Sequence, residues 1–138
     1  MNASTQWEEF LNPERTQERL ISASLYITAF EMLKESIVGR IRDFYFVGFS
    51  PDGLEYSQIY KDEVLGLNKK PLYASLTWLC NSEVISSADL DVFKKLTDVR
   101  NVLAHELPSV VFLGKELSII ENMKILMDLL KKIEVWWV

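Results

Sequence analysis

One histidine, His105, limits the chemistry open to this chain, because it is the only histidine among 138 residues. Arg100 and Asn101 precede it by five and four residues. An unperturbed imidazole can accept or donate a proton near neutral pH. A guanidinium offers paired donors to the non-bridging oxygens of a phosphate, and an amide can orient the phosphate or a 2′-hydroxyl. Together these three residue types suit attack on a phosphodiester.

A metal site is not expected from this sequence. The chain has one cysteine and one histidine, and its acidic residues form no paired-carboxylate motif at ligand spacing. Glu31 and Glu35 lie four residues apart, but Lys34 stands between them, and we interpret both as part of a solvated helix face. We therefore predict a reaction that needs no metal and no cofactor.

The spacing of the three residues affects how they can be combined. On a helix, Asn101 and His105 lie about 40° apart, whereas Arg100 lies about 140° from His105. One copy therefore brings Arg100 and His105 together only obliquely. Two copies related by a twofold axis would combine the two faces more easily, and such dimers are the commonest oligomers. We expect a homodimer.

The element that carries these residues is one of several predicted helices. Apolar residues recur at spacings of three and four, and the chain has only 5 glycines and 4 prolines, which favours helices. The first predicted helix covers residues 13–46; Asn12 is its expected N-cap, Pro13 takes its first position, and its apolar stripe comprises Ala23, Tyr26, Phe30, Leu33, Ile37, Ile41 and Phe44. The second covers residues 71–84. The third covers about 86 or 87 to 105, with Ser86 or Ser87 and Asp89 as a capping arrangement and Pro108 expected to end it shortly after His105. The last covers about 115–137.

Residues 1–12 are predicted to be an N-terminal arm and residues 47–70 a long connection, with a turn at 50–53 and either a short helix or irregular structure at 54–65. The whole chain, 1–138, is predicted to be one all-α domain, an up-and-down bundle of four to five helices.

Bulk properties exclude several classes of protein. The net charge of −5 argues against a constitutive nucleic-acid coat protein, although a local basic patch can oppose the net sign. No apolar run approaches the roughly 20 residues that span a bilayer, and residues 1–6 lack the basic start and apolar stretch of a signal peptide. The lone cysteine, Cys80, cannot form an internal disulfide. The cytoplasm is the expected location.

Residues 100–105, Arg-Asn-Val-Leu-Ala-His, resemble the R-x4–6-H motif of the HEPN superfamily. The resemblance implies a small all-α bundle and a metal-independent endoribonuclease whose active site forms across a homodimer. It implies Arg100 and His105 as the catalytic pair and Asn101 as the polar residue beside the arginine. RNA would be the substrate, with 2′,3′-cyclic phosphate products. Toxin–antitoxin or phage-defence systems are the implied setting, with an antitoxin such as a small nucleotidyltransferase as a partner.

A structural role for the same residues is the alternative interpretation. Cationic and amide side chains near the last turn of a helix interact favourably with the exposed carbonyl groups and can cap them. Similar strings also occur in non-catalytic helical regulators that resemble the mannitol-operon repressor family. In that case the chain would be a regulatory or scaffold protein, and Arg100, Asn101 and His105 would brace the fold. A third interpretation is a bundle that binds a nucleotide or RNA in the same groove without cleaving it.

Overall fold

The computed structural model describes residues 2–113 and 117–138, apart from the side chain of Leu54. It confirms the prediction of an all-α helical bundle, although the described residues form six α-helices where four to five were predicted. In the described part of the chain the α-helices are α1 (Ala3–Phe10), α2 (Pro13–Phe44), α3 (Pro71–Asn81), α4 (Ser87–His105), α5 (Leu107–Leu113) and α6 (Ile119–Trp137). Among these residues, no helix is long and apolar enough to cross a membrane.

Helix α2 begins and runs almost as predicted. The Asn12 side chain accepts hydrogen bonds from the backbone N–H groups of Glu14 and Arg15, at 3.0 and 3.3 Å, and Pro13 takes the first helical position, where its missing N–H is harmless. The predicted apolar stripe is buried at Ala23, Tyr26, Phe30, Leu33, Ile37 and Ile41. Phe44, predicted to continue that stripe, is instead 65% exposed.

Within residues 1–12, predicted to be an N-terminal arm, Ala3–Phe10 form a helix, α1, that the sequence patterns did not indicate; Met1 lies outside the described residues. The Asn2 side chain caps this helix by accepting from the Thr5 backbone N–H at 2.9 Å. Trp7 and Phe10 pack edge-on against Phe112 of α5, with centroid separations of 4.7 and 5.4 Å. This tertiary contact holds a helix of eight residues, which is too short to be stable alone.

The connection at residues 47–70 contains a β-hairpin that the sequence analysis did not predict. Strands β1 (Phe46–Ser50) and β2 (Gly53–Tyr56) pair antiparallel, with a bulge between Phe46 and Gly48. The predicted turn at 50–53 is confirmed, and Gly53 adopts a φ of +118°, a conformation that favours glycine. A π-helical turn (Tyr60–Val64) and a 3₁₀ turn (Leu65–Leu67) follow, so the short helix considered there is partly present.

The boundaries of α4 agree with prediction, but the chain after it does not. Ser86 and Asp89 form the predicted capping arrangement: the Ser86 N–H donates to Asp89 Oδ2 at 2.9 Å, and the Asp89 N–H donates to Ser86 Oγ at 3.2 Å. The helix ends at His105, yet Pro108 does not end helical structure, because it lies in the first turn of α5. Helix α6 begins at residue 119, whereas its predicted start was at about residue 115. Residues 115 and 116 lie outside the described residues.

The chain forms two compact units, and α2, α4 and α6 each contribute a segment to both. The first unit comprises residues 1–31 and 92–127. In its core the buried Tyr26 hydroxyl donates to the Leu96 carbonyl at 2.7 Å, and the Phe30 and Phe93 rings stack at 5.6 Å. The second unit comprises residues 32–91 and 128–138. Its core is built from buried aliphatic side chains, including Leu33, Ile37, Ile41, Leu79 and Ile133. The single-domain organisation of residues 1–138 stays a prediction.

Candidate active site at the end of helix α4

Arg100, Asn101 and His105 lie in the last two turns of α4, within the first compact unit. Leu96 and Leu103, both fully buried, fix the inner face of this part of the helix. Asn101 and His105 are exposed, and Arg100 is half-buried. The helix therefore presents the amide and the imidazole to solvent while the guanidinium lies along the body of the unit.

Arg100 is oriented by a residue that the sequence analysis did not place in the site. Its Nη2 lies 3.5 Å from Glu31 Oε1 on α2, and its Nη1 lies 3.4 Å from Asn101 Oδ1. The Arg100 Nε is buried and has no hydrogen-bond partner in the described part of the chain. The sequence led us to interpret Glu31 as a solvated residue. Its contact with α4 is a tertiary one, which the local spacing of residues cannot reveal. Its neighbour Glu35 pairs instead with Arg42, at 3.1 Å.

His105 is available to an incoming molecule. Its side chain is exposed, and no hydrogen bond or ion pair joins its imidazole to residues 2–113 or 117–138. The capping role considered for it would require a bond to a backbone carbonyl, and the described residues offer none. The structure therefore leaves His105 free to meet a partner from outside this copy of the chain.

One copy of the chain brings together only part of the predicted site. Arg100 and Asn101 are adjacent and in contact, but no contact joins Arg100 to His105 within the described residues. The helical geometry accounts for this, because five residues advance about 7.5 Å along the axis and turn the side chain away by about 140°. The ion pair with Glu31 holds the guanidinium on the side of α4 that faces α2.

A shallow apolar cleft begins three residues beyond His105. It has a volume of about 380 Å³ and is lined by Trp7 of α1 and by Pro108, Ser109, Phe112 and Leu113 of α5. Three residues span at most about 11 Å, so Pro108 lies within that distance of His105. The indole of Trp7 is about half exposed. This cleft does not follow from the sequence patterns, because they predict no helix at residues 3–10.

Comparison with known proteins does not identify the site. No family model, curated protein or solved structure matches this chain. In the described part of the chain, no group of three or more His, Cys, Asp or Glu side chains could hold a metal ion. The comparisons therefore leave residues 100–105 as the sequence feature that bears on function, at the end of α4 and before the short helix α5 and the longer α6.

Proposed function

We propose that this protein is a metal-independent endoribonuclease of the HEPN type, with Arg100, Asn101 and His105 in its active site. The observation that carries the proposal is an exposed, unbonded His105 on the same helix as Arg100, whose guanidinium is held in place by Glu31. This is what acid–base attack on a phosphodiester requires: a proton acceptor open to substrate and a fixed cation nearby.

The proposed reaction is attack by a ribose 2′-hydroxyl on the adjacent phosphorus. The His105 imidazole accepts the hydroxyl proton as the new O–P bond forms, and the bond to the 5′-oxygen breaks. That oxygen receives a proton, from an imidazolium or from water, so the products are a 2′,3′-cyclic phosphate and a 5′-hydroxyl. The guanidinium of Arg100 stabilises the negative charge on the non-bridging oxygens, and Asn101 orients the phosphate or the 2′-hydroxyl.

A second copy of the chain would complete the site. Arg100 and His105 are not in contact within one copy, whereas a twofold axis beside the end of α4 would set the arginine of one copy against the histidine of the other. The cleft lined by Trp7 and Pro108 would then hold a nucleobase near the scissile phosphate, since unpaired bases in RNA stack on aromatic side chains.

Cleavage of a mixed RNA substrate in excess EDTA tests the proposal. We expect the parent protein to cleave it and to leave cyclic-phosphate ends, and Arg100→Ala and His105→Ala to lose at least about 100-fold in rate, since general acid–base and electrostatic groups contribute factors of that size. Arg15→Ala, an exposed arginine outside residues 100–105, is the matched control. Cleavage that survives in both motif variants would overturn the assignment of the site.

A regulatory or scaffold role is the second candidate function, and the ion pair between Arg100 and Glu31 favours it. This pair joins α4 to α2, which is what a structural brace would do. If the role is structural, Arg100→Ala will lower the free energy of unfolding and a folded parent will cleave no RNA. A cytoplasmic location, a toxin–antitoxin or phage-defence setting and an antitoxin partner belong to the same proposal as the nuclease activity.

A further inference from the structure

An unbroken series of aromatic contacts extends over the second compact unit. It runs from Phe49 in β1 through the hairpin, the π-helical turn and the end of α2 to Trp137 in α6, with successive ring centroids 5.1 to 6.0 Å apart. Trp78 of α3 continues it by stacking on Trp137 at 6.2 Å. We call the rings from Phe49 to Trp137 the aromatic ridge.

Much of the aromatic ridge faces solvent. Phe49 is 81% exposed, Phe46, whose ring contacts that of Phe49, is 39% exposed, and Val47, next to Phe46 in β1, is 64% exposed. Phe44, at the α2 end of the ridge, is 65% exposed. Tyr60, by contrast, is buried and anchors the ridge to the unit. Large apolar side chains that are exposed together on a fixed framework are typical of protein interaction sites, which are enriched in aromatic anchors.

The hairpin beneath these side chains offers unpaired strand edges. In the described part of the chain the sheet consists of β1 and β2 alone, so each strand has one edge with no strand beside it. A two-stranded sheet is marginal in water, and an open edge is a template for a further strand. An extended segment that adds to a sheet edge gains main-chain hydrogen bonds there and places alternate side chains against apolar anchors.

The net charge of the hairpin region indicates which kind of partner this surface would bind. Residues 46–64 carry the acids Asp52, Glu55, Asp62 and Glu63 against the single base Lys61, a net charge of 1 − 4 = −3. A second copy of the same hairpin would bring like charges together, and an anionic lipid surface would be repelled. A partner with basic residues around an apolar strand would be attracted.

We propose that the hairpin and the aromatic ridge are a docking site for a strand-forming segment of another protein, in which alternating apolar residues are flanked by Lys or Arg. The segment adds to an open edge of the sheet, its apolar side chains cover Phe49 and Val47, and its basic flanks meet Asp52 and Glu55. This surface lies in the second unit, and the proposal does not depend on the nuclease activity.

The test uses the full chain and the synthetic peptide Lys-Lys-Ile-Thr-Val-Thr-Ile-Lys-Lys, with titration calorimetry for binding and hydrogen exchange for location. We expect saturable binding and slower exchange of hairpin amides. Phe49→Ser should weaken binding at least about fivefold, as truncation of an interface anchor does, and Glu55→Lys should also weaken it. Met32→Ser and Asp128→Lys change an exposed apolar and an exposed acidic residue elsewhere in the same unit and should have no effect.

Several results would overturn the proposal. One is equal binding of a peptide with Glu in place of the flanking Lys residues, and another is binding that Phe49→Ser does not change. Absence of binding by the folded parent would also overturn it. Concentration-dependent dimerisation that Phe49→Ser abolishes would identify a second copy as the occupant, and binding to phosphatidylserine vesicles would identify a lipid surface.

Discussion

At the residue scale, Glu31 forms an ion pair with Arg100. The side chains of Arg100 and Glu31 are 30% and 48% exposed and their charged atoms are 3.5 Å apart. Partly exposed pairs of this kind contribute little to stability, typically less than about 1 kcal/mol. Their geometry can still matter for function, because a guanidinium paired with a carboxylate has fewer donors left for a phosphate.

Glu31→Gln should therefore leave the fold intact and free Arg100 for substrate. We expect the free energy of unfolding, from urea titration, to change by less than about 1 kcal/mol, and RNA cleavage to be unchanged or faster. Glu35→Gln, which removes a comparable pair with Arg42, is the control. A loss of more than about 2 kcal/mol would instead show that the Arg100–Glu31 pair braces the unit, which favours the scaffold function.

Tyr26 makes the stability of the protein sensitive to alkaline pH. Burial raises its pKa well above the ordinary value, which is about 10, so the folded protein keeps Tyr26 neutral at a pH where the unfolded chain ionises. The stabilisation is complete below pH 10 and is lost as the pH rises further. Tyr60 contributes in the same direction, because burial raises its pKa although Arg42 opposes the shift.

Tyr26→Phe should thus cost about 1 kcal/mol at pH 7, since the hydrogen bond to the Leu96 carbonyl is lost. It should also reduce the fall in stability between pH 9 and 11, measured by urea unfolding. The contribution of Tyr60 to the fall in stability should remain in this variant and disappear in Tyr60→Phe. An equally steep fall in Tyr26→Phe and in the parent would contradict the role assigned to Tyr26.

At the scale of elements, the N-terminus of α4 combines a cap with a tertiary ion pair. Partial burial by itself would raise the pKa of Asp89, but the hydrogen bonds from Lys132 and Ser86 outweigh it and lower the pKa. Lys132 Nζ lies 2.6 Å from Asp89 Oδ2. Since the folded pKa lies below the unfolded value of about 3.9, the stabilisation is present above that pH and is lost as the pH falls through the folded pKa.

Asp89→Ala should lower the free energy of unfolding by about 1 kcal/mol at pH 7, the usual effect of removing a cap. The variant should also lose less stability than the parent between pH 5 and 2, because the titrating carboxylate is gone. Asp91→Ala, an exposed acid in the same helix, is the control and should behave like the parent. Equal stability of Asp89→Ala and parent at pH 7 would contradict the capping role.

Helix α1 supplies the aromatic wall of the cleft beside His105. If a nucleobase stacks on Trp7, Trp7→Ala should raise the KM for RNA by about tenfold, since base–aromatic stacking contributes 1–3 kcal/mol, while kcat stays near that of the parent. Trp7→Phe should restore most of the affinity, because it keeps a ring in the same place. Equal KM values for Trp7→Ala and the parent would exclude base binding at the cleft.

The elements that the sequence predicts well are those whose signals are local. The Asn12 cap, the apolar stripe of α2 and the Ser86–Asp89 cap each need only neighbouring residues, and the structure confirms them. Helix α1 was missed because Trp7 and Phe10 are stabilised by Phe112, about a hundred residues away. The hairpin was not predicted because the run from Phe46 to Phe49 does not alternate between apolar and polar residues. Strand β1 is bulged and exposed on both faces, so it does not need that alternation.

At the scale of the whole molecule, the candidate site is predictable in its residues but not in its assembly. The positions of Arg100, Asn101 and His105 late in a helix follow from the apolar spacing that predicts α4, although Pro108, expected to end helical structure there, lies inside α5. The ion pair with Glu31 does not, because it depends on how α2 packs in the first unit. The consequence for function is that Arg100 and His105 do not meet within one copy, so activity should require two.

Mixing two inactive variants tests this requirement directly. Arg100→Ala and His105→Ala should each be inactive alone, but a mixed dimer holds one site with both the intact arginine and the intact histidine, each from a different copy. After unfolding and refolding of an equal mixture, we expect about a quarter of the parent activity, because half of the dimers are mixed and each has one complete site of two. Native mass spectrometry of differently tagged copies confirms that mixed dimers form. If they form and remain inactive, both residues must come from the same copy, and the arrangement across a twofold axis is wrong.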